Sequence, residues 1–155
     1  MKEIDTKNLP KNPIEAQGML IKSFYEKFGR DVLPIIKEVC KKQGCSLGLK
    51  IKKKLPNNRL STVAAAFSKS FDANNVKVIE ISDDKFQIQG TKCPFRLENT
   101  SRELCEAVME IDGEYFRTAV DDKVKMIIIK TVAEGDSYCD TLYELKRDLV
   151  KESLI

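Results

Sequence analysis

The chain has 155 residues, 42% of them hydrophobic and 33% charged, which suits one globular domain and excludes both a disordered chain and a small disulfide scaffold. Its 27 basic and 24 acidic residues leave a net charge of +3, too small to point to direct nucleic-acid binding. It contains no histidine, which removes Ser-His-Asp and Cys-His chemistry and every zinc site that needs imidazole.

Residues 1–12 are polar and carry no secretory signal. Asn12-Pro13-Ile14-Glu15 combines a capping asparagine, a first-turn proline and an acid that completes a capping box, and so predicts a helix start. Ile14, Ile21, Phe24 and Phe28 follow at helical spacing, with Gly29 as the stop. A second apolar stripe, Val32, Ile35, Ile36, Val39 and Cys40, predicts a neighbouring helix ended by Gly44. Residues 45–58 are expected to connect it to a third helix over 59–71. The basic cluster Lys50, Lys52, Lys53 and Lys54 is read as a solvated edge.

The period then changes. Val76, Val78, Ile79 and Ile81, a Ser82-Asp83-Asp84 turn, and Phe86 and Ile88 alternating with glutamines predict a β-hairpin. Thr100-Ser-Arg-Glu103 is a second capping box and opens a long helix through Leu104, Cys105, Val108, Met109 and Asp112. Residues 124–132 read as a buried strand, Glu134-Gly135-Asp136 as a turn, and 139–145 as a returning strand. The charged tail from Lys146 is read as a helix. The expected fold is α+β: an antiparallel sheet packed with helices. The chain reads as one domain, with a helical part over 12–71 and a strand-strand-helix-strand-strand part over 76–145.

The longest apolar runs, Val63 to Phe67 and Met126 to Ile129, are too short to cross a bilayer, so a cytoplasmic protein with no membrane association is expected. Its five cysteines would there be reduced: core thiols, metal ligands or reactive groups. Cys40 fits the second helix's stripe and is expected in the core, and Cys45 is expected to be exposed and reactive. Cys93, Cys105 and Cys139 stand at element boundaries. Asp112 is seven residues after Cys105, so both lie on one helix face. Three thiolates and a carboxylate would form a closed tetrahedral set for zinc or another soft metal, with Glu134 and Asp136 as alternative oxygen donors. The competing reading makes the cysteines small core hydrophobes.

The Gly135-Asp136-Ser-Tyr-Cys139 turn, with a strand before it and a helix carrying Cys105, resembles the vinyl-4-reductase domain family over about residues 87–145. That resemblance implies a small-molecule-binding domain with zinc at Cys105 and Cys139. Ile128 and Thr131 stand where the family's aromatic sensors carry a glutamate and a cysteine ligand, so Cys93 and Asp112 would have to complete the set. It also implies a fold like the ligand-binding domains of nitric-oxide signalling and the trafficking-particle subunits of Golgi transport, in a homodimer. The 2-amino-thiazoline-4-carboxylate hydrolases are similar too, in Cys93-Pro94, Cys105, Asp112 and Gly135-Asp136…Cys139.

Three functions follow. A binding module would hold a small apolar ligand among Phe24, Phe67, Phe86 and Met109 and act as a sensor or accessory module. A hydrolase of a small carboxylate-bearing ring would use Cys93 as nucleophile or a metal-activated water. An assembly subunit would use only its surface.

Overall fold

The computed structural model describes residues 2–146. The expected helix in the tail beyond Lys146 lies outside them. The architecture is α+β, with five α-helices and a four-stranded antiparallel sheet among the described residues. None of these helices is long and apolar enough to cross a membrane.

Helix α1 spans Pro13–Phe28, and its Asn12 cap accepts the Glu15 N–H at 2.8 Å. A short 3₁₀ turn over Gly29–Val32 leads into α2, Leu33–Lys54. The expected stop at Gly44 is corrected here: α2 runs on through Gly44 and Gly48 for ten more residues, and no connector exists over most of 45–58. Both glycines are buried because another helix's backbone crosses them. A Cβ at Gly44 would collide with the Ile111 carbonyl, and one at Gly48 would sit 2.8 Å from the Tyr115 carbonyl. Glycine inside a helix costs about 1 kcal/mol in propensity. The close approach it permits here outweighs that cost, and the most extensive helix–helix packing in the fold results. Lys52, Lys53 and Lys54 lie exposed in the last turn of α2, where their charges complement the helix dipole.

Helix α3, Leu60–Ser68, buries Leu60, Val63, Ala64 and Phe67. Strands β1 (Val76–Ile81) and β2 (Lys85–Gly90) form the expected hairpin, with a register shift between Val78 and Glu80. The expected long helix is two. Helix α4 is Arg102–Val108, capped by Ser101 on the Leu104 N–H, and α5 is Glu110–Ala119, with the break at Met109. Strands β3 (Lys125–Lys130) and β4 (Cys139–Glu144) close the sheet in the order β1-β2-β4-β3.

Register decides which side chains face the helices. Phe86, Tyr143 and Met126 are directly paired across β2, β4 and β3, as are Ile88, Thr141 and Ile128. Two cores result. In one, Phe67, Phe86, Phe116 and Tyr143 pack as an aromatic cluster, with centroids 4.4 Å apart for Phe116 and Tyr143. In the other, Ile36 and Cys40 of α2 meet Leu104, Cys105, Val108 and Ile111 of α4 and α5, together with Leu97 and Ala133.

Candidate functional site

The hairpin that carries Cys139 is built by backbone geometry. Gly135 sits at φ 102°, a left-handed conformation that glycine adopts without strain, and caps the 3₁₀ turn Val132–Glu134. The Asp136 carboxylate accepts the Thr131 N–H at 3.0 Å, while the Asp136 N–H donates to the Thr131 carbonyl at 3.2 Å. The Gly-Asp pair thus closes the loop and brings Cys139 back to the head of β4, paired with Gly90.

Thr131 joins this hairpin to α4. Its hydroxyl is buried, donates to the Cys105 Sγ at 3.1 Å and accepts the Ala133 N–H at 3.1 Å. Cys105 also lies within electrostatic range of Cys93 and Cys139. The three cysteines therefore converge from the loop after β2, from α4 and from β4. Burial pushes the Cys105 thiol up to about 11, although the Thr131 hydrogen bond opposes that rise. Burial likewise pushes Cys93 up to about 11, against backbone N–H groups of Leu97 and Phe95. Both are protonated thiols at neutral pH.

Asp112 has other company. The helix turns at Met109, where the Met109 N–H still bonds the Cys105 carbonyl and the Gly113 N–H the Met109 carbonyl, and Asp112 and Cys105 both act on Tyr143. The Asp112 charge also acts on Cys40 and Tyr115. The side chain is half-buried, and its carboxyl makes no ion pair or hydrogen bond with a described residue. Desolvation pushes it up to about 7. Its influence, added to burial, raises Cys40 to about 11 and Tyr115 to about 12.

The donor set expected for zinc was Cys93, Cys105, Cys139 and Asp112. Among the described residues, no group of three or more Cys, Asp or Glu side chains is disposed to hold a metal ion. The Cys105 thiol, buried against the Thr131 hydroxyl, packs as a small hydrophobe. The four residues expected to line an apolar pocket are also dispersed. Phe67 and Phe86 fill the aromatic core, 6.1 Å apart. Met109 packs on the second core, and Phe24 is exposed on α1 beside Phe28.

A surface cleft of about 570 Å³ opens between α2, α4, α5 and β3. Lys37, Glu103, Glu106 and Glu110 supply its charges, and Met126 and Ile128 are part of its apolar lining. Sequence reasoning missed it. The available signal was the Glu103, Glu106, Glu110 series at three- and four-residue steps, one helical face across α4 and α5.

A family model described as L-2-amino-thiazoline-4-carboxylic acid hydrolase matches residues 13–143. The chain belongs to this hydrolase family. The match runs from the first residue of α1 to Tyr143 in β4, so it takes in the hairpin, all five cysteines and Asp112. Of the two families the sequence resembles, the hydrolases are the one that matches. No curated protein matches the chain.

Proposed function

We propose that the protein hydrolyses a small, carboxylate-bearing heterocycle of the amino-thiazoline kind for which its family is named. The observation that carries this reading is the family match over residues 13–143, and the Asp112 carboxyl, unengaged by other described side chains and pushed up to about 7, is its candidate for proton transfer. A group with that pKa is present in both protonation states at neutral pH, so it can take a proton and return it. In the proposed step, a water oxygen bonds to the ring's amidine carbon while the Asp112 carboxylate takes the water proton. The carbon's bond to a ring heteroatom then breaks, and that atom leaves with the proton from Asp112. Water is the only co-reactant, and the ring is opened without net redox change.

Other routes have less support. Thiolate attack by Cys93 would draw on the small ionised fraction left to a thiol at about 11. Zinc at the cysteines would need three or more donors disposed around one ion, which the described residues do not offer, so no step is routed through a metal. A sensor of an apolar ligand would need a cavity where Phe67 and Phe86 instead pack. Incubation of the purified protein with L-2-amino-thiazoline-4-carboxylic acid, followed by mass spectrometry, separates these readings. Hydrolysis yields a ring-opened product heavier by one water. A folded protein that binds the compound and leaves it unchanged would support the binding-module reading.

A further inference from the structure

The charges of the α2–α4–α5–β3 cleft are not equivalent. Each glutamate is already held by a cation. Glu103 pairs with Arg30 at 2.9 Å and accepts the Tyr25 hydroxyl at 2.6 Å. Glu106 pairs with Arg102 at 3.2 Å, and Glu110 with Arg117 at 2.6 Å. The arginines fix these carboxylates in place and leave each with further acceptor capacity, because a carboxylate has about four lone-pair sites. Lys37, one turn into α2 and exposed, is different. Its ammonium makes no ion pair or hydrogen bond with a described residue. The cleft thus offers one uncommitted cation facing a wall of fixed carboxylates, over an apolar lining that includes Met126 and Ile128.

Its size, about 570 Å³, falls within the range of small-molecule sites, roughly 300–1,000 Å³. An anion alone would meet the repulsion of three glutamates, and a cation alone would leave Lys37 unused. A ligand with a carboxylate at one end and a cationic amidine at the other satisfies both walls. Asp112 is not among the lining residues, and Met126 is a lining residue that reaches the Asp112 surroundings. It lines the cleft, pairs with Tyr143 on whose hydroxyl the Asp112 charge acts, and its Cε would lie 3.3 Å from a Cβ placed on Gly113, the residue after Asp112.

We infer that this cleft is the recognition site for a zwitterionic ring compound, with Lys37 binding its carboxylate and the Glu106 and Glu110 carboxylates facing its amidine. The assignment rests on the hydrolase reading for the ligand's identity, but its test is separable from turnover. Two probes suffice: L-2-amino-thiazoline-4-carboxylic acid, and 2-amino-2-thiazoline, the same ring without the carboxylate. Affinities are measured by calorimetry, with KM taking their place where turnover occurs, and product is followed by mass spectrometry. The wild type is expected to prefer the acid. Lys37→Ala should weaken the acid about tenfold, leave 2-amino-2-thiazoline unchanged, and so abolish the preference. Lys37→Arg should restore most of it, and Glu106→Gln should weaken both probes. Lys37 is exposed, so its variants should fold normally, as near-UV circular dichroism would record. Unchanged affinity for the acid in Lys37→Ala, equal weakening of both probes, or no binding of either probe to the wild type would each overturn the inference. Turnover with a Lys37→Ala KM equal to wild type would overturn the cleft and spare the hydrolysis. Lys37-dependent binding without product would do the reverse.

Discussion

The Thr131 hydroxyl donates to the Cys105 Sγ across 3.1 Å, and this bond joins the C-terminal hairpin to helix α4. The same oxygen accepts the Ala133 N–H, so a buried threonine satisfies two partners. Thr131→Val keeps the shape and removes the hydroxyl, leaving a buried N–H unpaired. It should cost about 1–3 kcal/mol in denaturant unfolding. Thr131→Ser, which keeps the oxygen, should lose less.

Helix α2 should be intolerant of side chains at its crossing with α5. Gly44→Ala sets a Cβ against the Ile111 carbonyl, and Gly48→Ala sets one 2.8 Å from the Tyr115 carbonyl, so backbone must move in each case. Thermal unfolding should show each variant destabilised by about 1–3 kcal/mol or more, with Gly44→Ala the worse. Alanine at either site would be mildly stabilising if the helix stood alone, because of its higher propensity. The sign of the effect therefore reports the packing.

Cys93 and Cys105 should be slow thiols. With both pushed up to about 11 from an ordinary value of 9.0, their thiolate fraction at neutral pH is lower by roughly a hundredfold. Timed alkylation of the native protein with iodoacetamide, read by peptide mass spectrometry, should show both lagging far behind a free cysteine peptide. Rapid alkylation of Cys93 would restore it as a candidate nucleophile.

Asp112 should make stability depend on pH in an unusual direction. Its carboxyl is raised in the folded protein, from 3.8 to about 7, so the native state holds a proton that the unfolded chain has released. The contribution is fully present below about pH 4, and it is lost as pH rises through about 7. At roughly 1.4 kcal/mol per unit over about three units, the loss is on the order of 4 kcal/mol. Asp112→Asn removes this slope. The variant should gain stability relative to wild type between about pH 4 and pH 8, measured as the difference in urea unfolding midpoints.

Much of the fold was legible because local signals agreed with tertiary ones. The Asn12 cap, the Ser82–Asp84 turn and the β-branched runs fall where the sequence places them, whereas the second cap is Ser101, one residue past the Thr100 of the expected capping box, and β3, expected to be buried, is a largely exposed edge strand. Gly44 misled for a physical reason. Glycine ends helices through its freedom at positive φ, and it also lets two helices touch, and sequence spacing does not separate these uses. Here the second use applies, and α2 runs to Lys54. The seven-residue spacing of Cys105 and Asp112 points both at a common neighbour, since both charges act on Tyr143, and Asp112 also acts on Cys40 and Tyr115. The convergence of Cys93, Cys105 and Cys139 was visible in their placement at element boundaries. The cleft around Lys37 was not, because it joins α2 to β3 across ninety residues of chain, and each of its side chains alone reads as an ordinary exposed charge.

The central claim is that Asp112 moves the proton in hydrolysis of an amino-thiazoline carboxylate. The direct test is the rate of ring opening of L-2-amino-thiazoline-4-carboxylic acid across pH 5–9, for wild type and Asp112→Asn. The account predicts a wild-type profile with an apparent pKa near 7 and a loss of at least about a hundredfold in the variant, in line with removal of a general base. Ring opening by Asp112→Asn at the wild-type rate, or a folded wild type that forms no product at any pH, would contradict it.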